Sequence, residues 1–183
     1  QDNSIKYNLS IVCFNSLNFV GNNFLIPAGP LREKISSLKK YKIAFLNGES
    51  NEIPKIKEII LNQNSSIRIF EANYVPTNLD KINLNDKFLV FSGIGNPASF
   101  EKTLLKNNFN ITKFLKFPDH YNYKEKDINK IKSMAKKLNV KILTTEKDYN
   151  RLNDLYKKDI HFLEIKLSIK NEKDFTNFLE ENL

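Results

Sequence analysis

The amino-acid sequence predicts an α/β fold, in which a mostly parallel sheet carries flanking helices. Short apolar runs rich in β-branched and aromatic residues alternate with longer amphipathic segments, which is the pattern of parallel strands joined by helical crossovers. Several runs are apolar without interruption, as strands buried on both faces are. The 183 residues suit one α/β domain, and a hydrophobic fraction of 40% with 11% aromatic residues supports a packed core.

Strands are predicted where short apolar runs are bounded by polar residues, Gly or Pro. In chain order they cover residues 9–14, 42–46, 67–74, 88–92, 111–117, 142–145 and 160–165. The run 67–74 differs from the others, because Arg68, Glu71 and Asn73 interrupt its apolar residues. Residues 67–83 are therefore expected to form an exposed or edge ribbon that links two parts of the chain.

The clearest predicted helix covers residues 125–138. Ile128, Ile131 and Ala135 repeat there with helical spacing, and Lys residues fill the opposite face. The apolar face of this helix is expected to pack on the sheet. Further helices are predicted at 32–40, 53–62, 100–106, 149–157 and 172–181, the last as a terminal cap.

The chain carries a net charge of +8 with a pI near 9.4. Such a charge attracts polyanions, including nucleic acid, anionic lipid and phosphorylated small molecules. Many of the lysines lie on predicted solvated helix faces, and the sequence has no RRM signature, zinc-finger spacing or basic stripe interleaved with aromatic residues. A nucleic-acid partner is therefore not expected.

Cys13 is the single cysteine, and it lies in an apolar run. It is expected to fill a strand core rather than to attack a substrate, in a reducing compartment. No apolar run reaches the length of a transmembrane helix, and residues 1–4 lack the features of a signal peptide. Because the chain does not begin with Met, we expect that further sequence precedes Gln1. No feature of the sequence specifies an oligomeric state.

Residues 26–33, Ile-Pro-Ala-Gly-Pro-Leu-Arg-Glu, form the first motif that could carry chemistry. A helix opened by Pro30 would place Arg32 and Glu33 in its first turn, where an Arg can fork onto a phosphate. The alternative is an ordinary stiff turn with a solvated Arg. Spacing alone favours this alternative.

The second motif, Gly93-Ile94-Gly95-Asn96-Pro97, leads from a buried strand into a helix. Free backbone amides at such a helix start can cradle an anion. The motif lacks the full GxGxxG fingerprint, and the glycines could equally serve a tight strand-to-helix turn. The sequence pattern leaves both interpretations open.

The third motif is Asp119-His120, at the end of a predicted strand, where open α/β sheets place reactive residues. An Asp beside a His can orient the ring or share in proton transfer. The alternative is a loop histidine that is merely exposed to solvent. The other histidine, His161, lies inside a strand pattern and is expected to serve packing.

The fourth motif, Thr144-Thr145-Glu146-Lys147-Asp148, also follows a strand and leads into a helix. Its polar groups are expected at the same sheet edge as Gly93 and His120, although a simple helix cap would explain them too. No G-x-x-x-x-G-K-[ST] loop, metal-spaced Cys/His cluster or Ser nucleophile elbow occurs in the chain.

In this order and separation, the four motifs resemble the tetraacyldisaccharide 4'-kinase family over essentially the whole chain. Gln1 resembles the closing residue of the family's Asp-Asp-Gly-x-Gln segment. The family is a variant P-loop kinase of two lobes joined by a short β-ribbon. The resemblance therefore implies that residues 1–66 are the remainder of the P-loop kinase lobe, 67–83 the ribbon linker and 84–183 the carboxy-terminal α/β lobe.

The resemblance also implies an activity, the ATP-dependent phosphorylation of the 4' hydroxyl of tetraacyldisaccharide 1-phosphate in lipid A biosynthesis. The family's Walker loop, magnesium-binding acidic residues and catalytic carboxylate all lie upstream of the position matching Gln1. ATP and Mg²⁺ are therefore expected cofactors whose ligands lie mainly outside this chain, no metal ligand is predicted within it, and the chain alone is expected to be inactive.

Site roles follow from the same resemblance. His120 would pair with the upstream catalytic carboxylate, and Arg32 and Glu33 would border the phosphoryl-transfer site. Asp119 is a further residue expected in the catalytic cleft. The residues expected on the cofactor side of the cleft are Gly93, Gly95, Asn96 and Lys147.

The implied partner is an anionic acylated disaccharide lipid. The implied location is the cytoplasm, peripheral to the cytoplasmic face of the inner membrane. A rival interpretation keeps the fold without the chemistry, namely a non-catalytic α/β domain that binds a nucleotide or a sugar phosphate.

Overall fold

A computed structural model describes residues 7–183, so the predicted likeness of Gln1 to a family segment lies outside the described residues. Eight strands and five α-helices are formed within this range. They are β1 Ile11–Asn15, β2 Ile43–Asn47, α1 Ile53–Gln63, β3 Arg68–Pro76, β4 Lys87–Ser92, α2 Pro97–Lys106, β5 Asn110–Lys116, α3 Glu125–Leu138, β6 Lys141–Thr145, α4 Glu146–Arg151, β7 Ile160–Leu163, β8 Ile165–Ile169 and α5 Glu172–Asn182. The predicted α/β class with mostly parallel sheets and flanking helices is confirmed.

The chain divides into two compact units. Among the described residues, the first unit holds 7–75 and 167–183, and the second holds Pro76–Lys166. The sequence-based division places residues 167–183 in the carboxy-terminal lobe. The structure instead packs α5 in the first unit, because Phe175 makes edge-to-face contacts with both Phe45 and Phe70.

The sheet of the first unit has the strand order β1-β2-β3-β8. Strands β1, β2 and β3 are parallel, with Phe45 of β2 opposite Cys13 of β1 and Phe70 of β3. One face of the sheet packs on α1 through Ile56 and Ile60, which are buried. Cys13 is exposed, contrary to the expectation of a strand core, because β1 is the edge strand of this sheet.

The predicted ribbon at 67–83 forms only in part. The first half of β3 is an inner strand, hydrogen-bonded to β2 and carrying the buried Phe70 and Ala72. Its partner on the other side, β8, was predicted only as the end of one strand at 160–165. The Lys170 amide donates to the Glu71 carbonyl, and the Thr77 amide donates to the Glu164 carbonyl. Residue numbers therefore fall along β8 as they rise along β3. The pairing is therefore antiparallel.

The sheet of the second unit has the strand order β5-β4-β6-β7, and all its neighbours are parallel. Successive residues of β4 serve opposite faces, as strand geometry requires. Leu89 and Phe91 pack with α3, whereas Phe88 and Val90 pack with Phe100 of α2. Since β4 is an inner strand between β5 and β6, its carboxyl end lies in the middle of the sheet edge.

Three predicted helices differ from the observed ones by more than one residue. The segment 32–40 is a short 3-10 helix at Ile35–Lys40, so Arg32 and Glu33 precede it rather than occupy a first helical turn. The physical reason is local, because the Leu31 amide and carbonyl are already bonded to Phe24 and Ile26. Helix α2 begins earlier than predicted, at Pro97, and α4 covers Glu146–Arg151 instead of 149–157.

None of the helices among residues 7–183 is both long and apolar enough to cross a lipid bilayer.

Candidate functional site

The carboxyl ends of β4 and β6 meet at a buried carboxylate in the second unit. Asp148 is fully buried, and its Oδ2 accepts hydrogen bonds from the Gly93 amide at 3.0 Å and the Thr145 hydroxyl at 2.8 Å. Thr145 also caps α4, because its Oγ1 accepts from the Asp148 amide at 3.0 Å. The helix cap that the sequence allowed is therefore present, and it serves to hold a buried charge.

Arg151 joins this carboxylate to the surface. One helical turn separates it from Asp148, which places both side chains on one side of α4. Its Nη1 lies 3.5 Å from Asp148 Oδ1 and donates to the Gly93 carbonyl at 3.2 Å, while its Nη2 lies 2.9 Å from His120 Nδ1. Arg151 is 24% exposed, and it therefore connects the buried Asp148 to the solvent-exposed imidazole of His120.

His120 is fixed through its backbone as well. Its amide donates to the Gly93 carbonyl at 3.1 Å and to Asp119 Oδ1 at 2.9 Å, and its φ of +57° is left-handed. Non-glycine residues with such backbone geometry concentrate at functional sites. The side chain is 72% exposed, and its Nε2 lies 3.9 Å from Asp119 Oδ2, which is beyond hydrogen-bonding distance.

Two tyrosines line the inner side of this loop. Tyr123 is buried edge-to-face against Phe91, and burial first and the neighbouring Asp148 second raise its pKa. The Tyr123 hydroxyl and Asp148 Oδ1 are both buried without a hydrogen-bond partner among the described residues. Tyr121 donates to Asp127 Oδ2 at 3.1 Å, and its pKa is raised by burial and by that carboxylate. Both phenols therefore stay protonated near neutral pH.

The glycine turn after β4 has mainly structural contacts. A Cβ on Gly93 would lie 2.9 Å from the Tyr123 hydroxyl and 3.1 Å from the Pro118 carbonyl, and one on Gly95 would lie 3.0 Å from Asp119 Oδ2. The Gly93 amide is committed to Asp148. Asn96 caps α2, since its side chain accepts from the Ser99 amide at 3.0 Å.

These contacts account for both glycines and for Asn96 without a bound nucleotide. Their assignment to cofactor binding stays a prediction. Lys147 is exposed on α4, next to Asp148 in sequence, and its cofactor role likewise stays a prediction.

Arg32 and Glu33 lie in the first unit, apart in the chain from the cluster around Asp148. They line a pocket of about 780 Å³ together with residues of β1, including Val12 and Phe14. The Tyr41 hydroxyl donates to Glu33 Oε1 at 3.3 Å, and burial first and Glu33 second raise the pKa of Tyr41. Their predicted place beside a phosphoryl-transfer site stays a prediction.

The predicted convergence of Gly93, His120 and the 144–148 motif at one sheet edge is confirmed by their hydrogen bonds. Sequence reasoning missed Arg151 and Tyr123. A predicted helix beginning at Glu146 would place Arg151 one helical turn after Asp148, and this position was the available signal for Arg151. Within residues 7–183, no group of three or more His, Cys, Asp or Glu side chains is placed to hold a metal ion.

Comparisons with known proteins agree with the motifs. A family model described as "Tetraacyldisaccharide-1-P 4'-kinase" matches residues 1–183. A tetraacyldisaccharide 4'-kinase of Pelagibacter ubique is 47% identical over 179 residues, which are 98% of this chain and 57% of that protein. One of Rickettsia akari is 40% identical over 164 residues, covering 88% of this chain and 48% of that protein. The chain thus spans about half the length of the curated relatives it matches.

A solved structure shares the fold. The crystal structure of "apo" form LpxK from Aquifex aeolicus in complex with ATP has a TM-score of 0.64 and covers 99% of this chain and 54% of that chain. Its sequence identity of 20% limits this likeness to the fold.

Proposed function

The chain belongs to the tetraacyldisaccharide 4'-kinase family, and from this premise we propose that it is the part of such a kinase that completes the phosphoryl-transfer site. The reaction would transfer the γ-phosphate of ATP to the 4' hydroxyl of an anionic tetraacyldisaccharide 1-phosphate. The proposal rests on the family match over residues 1–183 together with the cluster of Asp119, His120 and Arg151 at the carboxyl edge of a parallel sheet.

The observation that carries the catalytic role is the way His120 is held. Its backbone amide and its Nδ1 are both bonded to anchored groups, whereas its side chain is 72% exposed. An imidazole presented in this way can orient a carboxylate contributed by another part of the kinase. Phosphoryl transfer needs little covalent help from protein and depends on positioning and charge, so such orientation is a useful contribution.

The described residues do not by themselves provide a complete site for ATP and Mg²⁺. The Gly93 amide before α2 and the Ser99 amide in the first turn of α2 are already bonded, and residues 7–183 offer no cluster of metal-ligating side chains. Bound ATP would supply the phosphoryl group, and Mg²⁺ would neutralise its charge. We therefore assign the main ligands of both to the part of the kinase that this chain does not match.

Membrane association is the second part of the proposal. The substrate would be an acylated lipid, and the chain carries a net charge of +8, which attracts an anionic leaflet. We place the protein in the cytoplasm, peripheral to the inner membrane.

The test compares three proteins: this chain, the unmatched portion of the Pelagibacter ubique kinase, and a fusion that joins the two. Each is given ATP labelled in the γ-phosphate, Mg²⁺ and tetraacyldisaccharide 1-phosphate, and transfer to the lipid is measured. The proposal expects transfer by the fusion alone. Inactivity of the fusion, with retained binding of ATP or sugar phosphate by this chain, would favour a non-catalytic binding domain instead.

A further inference from the structure

The guanidinium of Arg151 is held from two sides before it reaches the imidazole. Its Nη1 is shared between the Gly93 carbonyl at 3.2 Å and the fully buried Asp148 carboxylate at 3.5 Å. Asp148 in turn accepts from the Gly93 amide and the Thr145 hydroxyl. Arg151 is therefore anchored to the ends of two core strands, and its Nη2 is left to meet His120.

An arginine can only donate hydrogen bonds, since all its nitrogen-bound sites are donors and none is an acceptor. At 2.9 Å from Arg151 Nη2, His120 Nδ1 must therefore be the accepting, unprotonated nitrogen. The tautomer of a neutral histidine is set by the bond that one ring nitrogen makes, so the proton of His120 resides on Nε2. A free imidazole would exchange between both forms.

We propose that Arg151 is a positioning residue that fixes His120 as the Nε2–H tautomer, so that this nitrogen offers a hydrogen-bond donor rather than a proton acceptor. This inference rests on the proposed function for its catalytic meaning but not for its geometry. A donor at Nε2 suits a carboxylate partner, which can accept two or more bonds. His120 would then orient and stabilise that carboxylate and would not itself take the proton of the sugar hydroxyl.

The anchoring explains why an arginine serves here. A planar guanidinium can bond a carboxylate, a carbonyl and a ring nitrogen at once, whereas a lysine is a single flexible point charge. Arg151→Met keeps the length and apolar body of the side chain and removes every donor. It therefore separates the hydrogen bonds that Arg151 donates from the packing of its side chain.

The first experiment needs no activity. In the full chain labelled with ¹⁵N, two-bond ¹H–¹⁵N correlation spectra at pH 8.5, where free imidazole is neutral, report which ring nitrogen carries the proton. His161 is exposed in β7, contrary to the expectation that it serves packing, and it is an internal control in the same spectrum. We expect His120 to show a single Nε2–H pattern and Arg151→Met to move it towards an exchange-averaged pattern, with His161 unchanged.

The inference is overturned if His120 in the unmodified chain carries its proton on Nδ1 or shows an averaged pattern. It is also overturned if Arg151→Met folds and leaves the His120 nitrogens where they were. The first of these tests needs only the unmodified chain. It therefore decides the proposal even if the variant folds poorly.

The second experiment uses the fusion with the unmatched portion of the Pelagibacter ubique kinase. Arg151→Met should lower kcat about 10- to 100-fold, as expected when a reacting group loses its orientation, and should leave KM for ATP within about twofold. A fusion that is inactive with Arg151 intact would count against the proposed function, whereas the spectra would still decide the tautomer.

Discussion

The Gly93 amide donates to the Asp148 carboxylate at 3.0 Å, although the two residues are 55 positions apart in sequence. This bond joins the end of β4 to the start of α4. The same Gly93 contributes its carbonyl to the His120 amide and to Arg151. The amide and the carbonyl of Gly93 thus connect the buried carboxylate with the exposed histidine.

Replacing Asp148 with Asn should destabilise the chain by about 3 kcal/mol, because it leaves Arg151 without its buried counter-charge. The matched control is Asp154→Asn, since Asp154 also pairs with a basic residue three positions later but its side chain is 91% exposed. That variant should leave the free energy of unfolding nearly unchanged, because an exposed ion pair contributes little to stability. Urea denaturation of both variants measures the difference, and equal effects would show that Asp148 is not a buried anchor.

Gly93→Ala should destabilise the chain by about 1 to 3 kcal/mol, because the new methyl group would crowd the Tyr123 hydroxyl and the Pro118 carbonyl. Gly95→Ala should cost less than about 1 kcal/mol, since it meets only the movable end of the Asp119 side chain. Thermal unfolding ranks the two variants. A ranking in the reverse order would contradict the packing described for this turn.

Asn96→Ala should cost about 1 kcal/mol through loss of the cap on α2, and Asn96→Ser should restore most of that stability. Chemical denaturation gives the stabilities, and titration with ATP in the fusion gives the affinity. If Asn96 held nucleotide instead, both variants would weaken ATP binding while leaving the stability of the chain alone unchanged.

Lowering the pH should remove a stabilising contribution of Glu71. The hydrogen bond from Lys57 is the largest cause that holds the pKa of Glu71 below its usual value, and the charges of Lys57 and Lys170 act in the same direction. A carboxyl whose pKa is lower in the folded state stabilises it above the unfolded pKa. This stabilisation is lost as the pH falls through the folded pKa.

The free energy of unfolding should therefore fall below about pH 4.5 more steeply for the unmodified chain than for Lys57→Met. Lys55→Met is the control, since Lys55 makes a 3.8 Å pair with the exposed Glu52. Urea denaturation between pH 3 and pH 7 compares the slopes, and parallel curves for all three proteins would refute the role of Glu71.

Local patterns predicted the elements that are held by their own apolar faces. Helix α3 has the predicted bounds Glu125–Leu138, because Ile128, Ile131 and Ala135 are all buried on one side of it. The gathering of motifs at one sheet edge was also predictable, since the carboxyl ends of neighbouring parallel strands meet there.

Features that depend on distant backbone partners were not predictable. Strand β8 is exposed along most of its length and owes its form to antiparallel bonding with β3. The proposed role of Arg151 depends on its contacts with Gly93 and His120, which are 58 and 31 positions away in the sequence. Arg32 does not lie in the predicted helical turn, because the Leu31 amide is hydrogen-bonded to the Phe24 carbonyl.

The most direct test of the account is the kinetics of His120→Ala and His161→Ala in the fusion with the unmatched portion of the Pelagibacter ubique kinase. We predict that His120→Ala lowers kcat at least 10-fold, as loss of an orienting group does, while KM for ATP stays within about twofold. His161→Ala, which alters an exposed position of β7, should leave kcat unchanged. Equal turnover of the His120→Ala variant and the unmodified fusion would contradict the assignment of His120 to the phosphoryl-transfer site.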